Sequence, residues 1–244
     1  MSLPLIAVAH GSRDPRAAAT VRELLEEVRH ARPGLPVRPA YLDHAAPTLP
    51  RALSGLPSAA VLPLLLTDAY HSRVDIPGVL REVRGTRVRY GATLGPHPLL
   101  TRALERRLAE AGVPADDPGA ARDTAVVLVS AGSSDPRANR TVARLARRWA
   151  HERGWWAATA AYASASGPRP GEEVARLLRA GAPRVVVAPY LLAPGFFADR
   201  VRDAALEAGA ATVADVLGAA PEVAAVVLER YDEAVASAWL SKPA

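Results

Sequence analysis

Two histidines that follow apolar runs, His10 and His71, are the residues whose chemistry stands out in this chain. A neutral imidazole ligates borderline divalent ions, and it exchanges protons near neutral pH, so a pair offers metal handling, acid–base work or both. Asp43, after a third apolar run, is the natural third polar group; a carboxylate there orients an imidazole or adds a ligand. There is no cysteine, which excludes disulfides, thiolate zinc sites and thiolate-held clusters and leaves any metal to His, Asp, Glu or water. Neither G-x-x-x-x-G-K-[ST] nor G-x-G-x-x-G occurs, so nucleotide use has no support. Ser12 lies between His10 and Asp14, yet no G-x-S-x-G elbow presents it as a hydrolase nucleophile.

A self-comparison of the chain singles out the two histidines. His10-Gly11-Ser12-Arg13-Asp14-Pro15-Arg16-Ala17 aligns with Ala131-Gly132-Ser133-Ser134-Asp135-Pro136-Arg137-Ala138, and the match continues through Thr20/Thr141, Val21/Val142, Leu24/Leu145, Tyr41/Tyr162 and Pro47/Pro168. Further on, 61–66 lines up with 187–192, and 94–98 with 217–221. Ordered matches of this kind mark a tandem duplication, with repeats at 1–115 and 124–240 joined by a Pro/Gly/Asp-rich stretch. Against the second copy, His10 corresponds to Ala131, His71 to Phe197 (or Ala198 with an earlier gap) and His97 to Ala220. A histidine needed only for folding has reason to persist in both copies; these do not, which favours one functional site carried by the first repeat. His97, in a Gly-Pro-His-Pro turn, reads as a turn or capping residue, His44 as exposed or as a neighbour of Asp43, and His30 and His151 as surface residues.

The elements that must position these groups alternate. Apolar runs at 3–9, 37–42, 59–66 and 87–94 are short enough for strands buried on both faces. Between the first two lies an amphipathic segment, 15–31, with Val21, Leu24, Leu25 and Val28 at helical spacing. Asp14-Pro15 opens it as capping carboxylate and first-turn proline, and Asp135-Pro136 does the same in the second copy. Alternating strand and helix requires right-handed crossovers and a mostly parallel sheet, with functional groups collected beyond the carboxyl ends of the strands. His10, Asp43 and 67–71 are therefore expected on one edge.

Composition narrows the class. Half of the 244 residues are hydrophobic and 23% are charged, as suits buried cores. The net charge of +5 comes from arginines scattered among acids, with Lys242 the one lysine, and no basic run or nucleic-acid motif appears. No apolar run is long enough to span a membrane and the start lacks a secretory pattern, so the expectation is a cytoplasmic protein with no nucleic-acid or membrane partner.

With these motifs in view, the chain resembles the sirohydrochlorin cobalt- and ferrochelatases, the ATP-independent class II chelatases. The residues that carry the resemblance are His10-Gly-Ser-Arg13, Ala40-Tyr-Leu-Asp43, Pro63-Leu-Leu-Leu-Thr-Asp-Ala-Tyr-His71-Ser-Arg-Val-Asp-Ile-Pro77 and Leu94-Gly-Pro-His-Pro98. It covers nearly the whole chain, because long members of that family are also two fused copies. The resemblance implies an α/β fold of two tandem lobes, each a mostly parallel sheet flanked by helices, with the tetrapyrrole in a cleft between them. The implied activity is that of a lyase inserting Co2+ or Fe2+, with Ni2+ as a further option, into sirohydrochlorin, in sirohaem or cobalamin-type biosynthesis. The metal is then substrate, and no cofactor is permanently bound.

By position, His10 and His71 would hold the metal and, with Asp43, carry catalysis; family members often have a glutamate near Asp43. Ser12, Arg13, Arg73, Gly132 and Ser133 would contact the substrate, and Arg51, Arg137 and Arg200 are further partners for its carboxylates. Phe196 and Phe197 would pack on the macrocycle or in the core. A monomer with internal pseudo-dimer symmetry is expected. The rival reading is a non-catalytic tetrapyrrole or metal carrier using the same pocket.

Overall fold

The computed structural model describes residues 2–240. The first lobe begins with β1 (Leu5–Ala9), α1 (Pro15–Ala31) and β2 (Val37–Tyr41), followed by α2 (Leu49–Leu53), β3 (Ser58–Pro63), a π-helical turn (His71–Asp75), α3 (Ile76–Glu82) and β4 (Arg87–Tyr90). Then come α4 (Pro98–Glu110), α5 (Pro118–Arg122), β5 (Thr124–Ser130), α6 (Pro136–Arg153), β6 (Ala157–Tyr162), α7 (Pro170–Arg179), β7 (Arg184–Tyr190), α8 (Phe196–Glu207), β8 (Thr212–Val213) and α9 (Pro221–Ala236). The strands form two four-stranded parallel sheets, ordered β2-β1-β3-β4 and β6-β5-β7-β8. No helix among the described residues is long and apolar enough to cross a membrane.

The expected pattern explains these elements. All five residues of β1 are buried, as a central parallel strand covered on both faces requires. One face packs Ile6, Val8, Leu53, Val61, Ile76 and Leu80 into a continuous core. Each such side chain contributes about 1.5–3 kcal/mol when fully buried. Helix α1 starts where Asp14 accepts a hydrogen bond from the Arg16 amide at 2.9 Å, and buries Val21, Leu24, Leu25 and Val28. The Arg16 side chain, bonded to the same carboxylate, holds Asp14 below the usual carboxylate range. The third and fourth apolar runs leave the ladder earlier than their hydropathy implies, at Pro63 and Tyr90, because the chain turns there toward the helical segments.

Repeats and compact units divide the chain differently. One unit holds residues up to Leu99 together with those from Ala219 on; the other is Leu100–Gly218. Helix α4, assigned by sequence to the repeat 1–115, thus completes the second unit, and α9, assigned to 124–240, completes the first. The reason lies in what each helix bonds to. In α4, Glu105 accepts from Trp149 Nε1 at 3.0 Å and from Arg153 at 2.6 and 2.7 Å, while Arg107 donates to the Leu217 carbonyl at 3.0 Å. In α9, Arg230 donates to the Thr93 carbonyl at 2.9 Å, and Asp232 pairs with Arg32. Each arriving helix therefore clasps the outgoing backbone of the other repeat with an equivalent arginine.

Candidate metal centre

The sheet order of the first unit sets the site. From β1 the chain goes to β2 on one side and then crosses to β3 on the other, so β1 and β3 are paired neighbours at a topological switch point, where parallel α/β sheets present their ligands. His10 is the residue after β1, and His71 opens the π-helical turn that follows β3. Their ring centroids stand 4.7 Å apart at an interplanar angle of 83°. Both residues are exposed.

Each imidazole is tied through Nδ1. The His10 nitrogen lies 3.1 Å from the Gly11 carbonyl and the His71 nitrogen 2.5 Å from Asp75 Oδ2. A carbonyl, like an ionised carboxylate, can only accept, so in the neutral form of each imidazole the proton belongs on Nδ1 and Nε2 is the atom free to ligate.

Local chemistry holds the two segments. At Gly11, φ is +94° and a Cβ would lie 1.7 Å from the Asp43 carbonyl oxygen, so only glycine lets the His10 loop close against the β2 loop. The Asp43 amide donates to the His10 carbonyl at 3.0 Å. The π-helical turn is pinned from below: Tyr90 donates its hydroxyl to the Ser72 carbonyl at 2.7 Å, and Ser72 donates to Asp68 at 2.7 Å. Burial first, and then the charge of Asp68, push the Tyr90 phenol above its ordinary range, so it stays a donor.

The other expected residues distribute as follows. Asp43 lies beside His10 through its backbone, but its carboxylate serves its own neighbour: Oδ1 accepts from the His44 amide at 2.7 Å and Oδ2 lies 3.2 Å from His44 Nε2. The carboxylate on an imidazole of the His10–His71 pair is that of Asp75, for which the His-x-x-x-Asp spacing was the signal in the sequence. Arg73 is paired with Asp68 at 2.7 Å. Arg13 is exposed and makes no ion pair among the described residues, while the Ser12 hydroxyl accepts from the Asp14 amide at 3.0 Å. His97 caps α4 by accepting from the Leu99 amide at 3.2 Å and pairs with Glu229 at 3.0 Å.

In the second unit the equivalent loop is closed on itself. Asn139, where the first repeat has Ala18, accepts from the Ser133 amide at 3.0 Å and donates to the Ser133 carbonyl at 2.8 Å. A Cβ on Gly132 would lie 2.1 Å from the Ser164 carbonyl. Arg137 lies 3.3 Å from Asp135, Phe196 and Phe197 are 67% and 51% exposed rather than in the core, and Arg200 stacks over Phe196 at 5.4 Å. Among the described residues, no group of three or more His, Asp or Glu is gathered to hold a metal.

The described residues thus form a duplicated parallel α/β lobe whose first copy carries an imidazole pair at its switch point. The chain belongs to the CbiX family, whose family model matches residues 4–111 and 125–234. The sirohydrochlorin cobaltochelatase of Priestia megaterium is 29% identical over 206 residues, which is 80% of this chain and 66% of that protein, so the match spans just under two thirds of its length. The sirohydrochlorin ferrochelatase of Bacillus subtilis (strain 168) is 28% identical over 211 residues, covering 82% of this chain and 78% of that protein. The structure of SirB from Bacillus subtilis with Fe3+ superposes with a TM-score of 0.81 at 26% identity, over 97% of this chain and 96% of that one.

Proposed function

We propose that this protein inserts a divalent metal, Co2+ or Fe2+ with Ni2+ as a further option, into sirohydrochlorin without ATP, and that His10 and His71 hold the ion before transfer. The observation that carries this reading is the imidazole pair itself. Two imidazoles on one ion stand about 4.5–5.2 Å apart between centroids for bite angles of about 90–110°, given metal–nitrogen bonds of about 2.1 Å. The observed 4.7 Å falls in that range. The relatives' names supply the substrate, and the family supplies the prior for the reaction.

The chemistry then balances within the residues present. As the ion passes from the two Nε2 atoms to four pyrrole nitrogens, the ring loses two N–H protons, and the vacated Nε2 lone pairs can each accept one. Two neutral ligands bind a divalent ion weakly enough for it to leave. Arg13, whose guanidinium has no ion pair among the described residues, is the first candidate to meet a peripheral carboxylate of the substrate, followed by Arg51. Arg73 would have to release Asp68 to do the same. The metal is substrate rather than resident cofactor. A monomer suits a chain in which one polypeptide supplies both repeats.

The test is a spectroscopic insertion assay with sirohydrochlorin and each metal in turn, in the absence of ATP. Acceleration over the protein-free rate supports the chelatase. Tetrapyrrole and metal binding without acceleration would support the carrier instead.

A further inference from the structure

We infer that Asp75 is a positioning residue: it holds His71 in the tautomer that ligates metal and makes His71 the stronger donor of the pair. This rests on the reading that His10 and His71 hold the ion. The first observation is the 2.5 Å contact between His71 Nδ1 and Asp75 Oδ2. Which ring nitrogen carries the proton is set by the hydrogen bond the other atom makes, and a carboxylate at Nδ1 leaves Nε2 as the lone pair while raising the donor strength of the ring.

The second observation is what Asp75 does not do. It is the last residue of the π-helical turn, which runs straight into α3, so no helix N-terminus competes for its carboxylate. Here its φ and ψ are −67° and −55°, helical values, and its side chain makes no capping bond. The carboxylate is spent on the imidazole.

The third is the duplication. At the register of the β3 and β7 segments, His71 corresponds to Phe197 and Asp75 to Val201, which is buried at 2% exposure. The π-helical turn spanning 71–75 has no counterpart either, since α8 runs as regular α-helix from Phe196. Imidazole, carboxylate and the wide turn that joins them are present together in one copy and absent together in the other. Single-turn π segments inside helices concentrate at functional sites. His10 differs, because its Nδ1 faces only the neutral Gly11 carbonyl. The two histidines are thus unequal, with His71 the anchor and His10 the weaker arm.

The experiment uses the full chain and its Asp75→Ala, Asp75→Asn and Asp75→Glu variants, with His10→Ala and His71→Ala as references and circular dichroism as the folding check. Nitrogen-15 NMR of histidine-labelled, metal-free protein reads the His71 tautomer, and calorimetric titration with Co2+ alone reads affinity. The expected result is an Nδ1–H tautomer in the parent that shifts toward Nε2–H in Asp75→Ala. Loss of such a supporting partner costs about 10–100-fold in Co2+ affinity, with Asp75→Asn keeping the tautomer and losing less. Asp75→Glu should recover part of the loss, and His71→Ala should weaken Co2+ more than His10→Ala. An unchanged tautomer, with affinity within about twofold of the parent rather than lowered by the usual second-partner loss, would overturn the positioning role. If His71→Ala itself leaves Co2+ affinity intact, the metal-holding reading fails first, while the tautomer readout still decides what Asp75 does to the ring.

Discussion

Replacing Gly11 by alanine combines two physical effects, a left-handed backbone and a close approach, of which Gly34 presents the first alone. At Gly34, φ is +85° and an added Cβ meets nothing within 4 Å, so Gly34→Ala carries only the left-handed backbone cost, about 1–2 kcal/mol. At Gly11, φ is similar at +94°, but the Cβ lies 1.7 Å from the Asp43 carbonyl oxygen. A carbon–oxygen contact needs about 3.3 Å, so the two loops must part by about 1.6 Å. That separation is incompatible with the Leu42 amide to Ala9 carbonyl bond at 3.1 Å and the Asp43 amide to His10 carbonyl bond at 3.0 Å. At about 0.5–1.5 kcal/mol each, the two bonds and the backbone cost bring Gly11→Ala to about 2–5 kcal/mol. Urea unfolding followed by circular dichroism measures both variants, and a Gly11→Ala cost no larger than that of Gly34→Ala would refute the close-approach argument. The second repeat adds a control for function. Gly132→Ala meets the Ser164 carbonyl at 2.1 Å and should destabilise comparably, yet only Gly11→Ala should weaken Co2+ binding, because only there does a histidine ride on the displaced loop.

Further outcomes follow from the same geometry. Arg230→Ala removes charged hydrogen bonds to the Thr93 and Leu94 carbonyls, worth about 1.5–3 kcal/mol in denaturant unfolding, and Arg107→Ala should cost a similar amount through Leu217. Tyr90→Phe leaves the Ser72 carbonyl without its 2.7 Å donor, so it should cost about 1 kcal/mol and loosen the π-helical turn, read as faster amide exchange at residues 71–75. The side-chain hydrogen bond from Arg32 lowers the Asp232 carboxyl below its ordinary 3.8, so this pair stabilises the fold above that pH and ceases to do so as pH falls through the lowered value. Asp232→Asn should therefore cost up to about 1 kcal/mol at pH 7, a small amount because the pair is exposed, and progressively less as pH falls through the lowered value.

Periodicity made the architecture legible, and duplication made the site legible. The helix at 15–31 could be read to the residue because its cap, first-turn proline and apolar stripe agree. The strands could be placed but not ended, since Leu64–Leu66 is as apolar as the strand before it and only the turn toward His71 takes it out of the ladder. The absence of His10 and His71 from the second copy singles out in the sequence two imidazoles that the fold brings within 4.7 Å between centroids. Asp75 escaped because the helical apolar period after His71 starts only at Ile76, continuing through Val79, Leu80 and Val83, so a spacing of four just ahead of it did not register as one turn. Asp43 fits a ligand by its place in the chain, while a local turn directs its carboxylate to His44 in this structure. The reciprocal exchange of α4 and α9 could not be read at all: a repeat alignment records which residues correspond, not which unit a terminal helix completes.

The central claim is that His10 and His71 together hold the metal that is inserted. Its most direct measurement is the single-turnover rate of Co2+ insertion into sirohydrochlorin, without ATP, for the parent protein, His10→Ala and His71→Ala, each confirmed to be folded. The parent should accelerate insertion, and each variant should lose about 10²-fold or more, as removal of a group that acts on the reacting atoms does. Parent-like rates in both variants would contradict it.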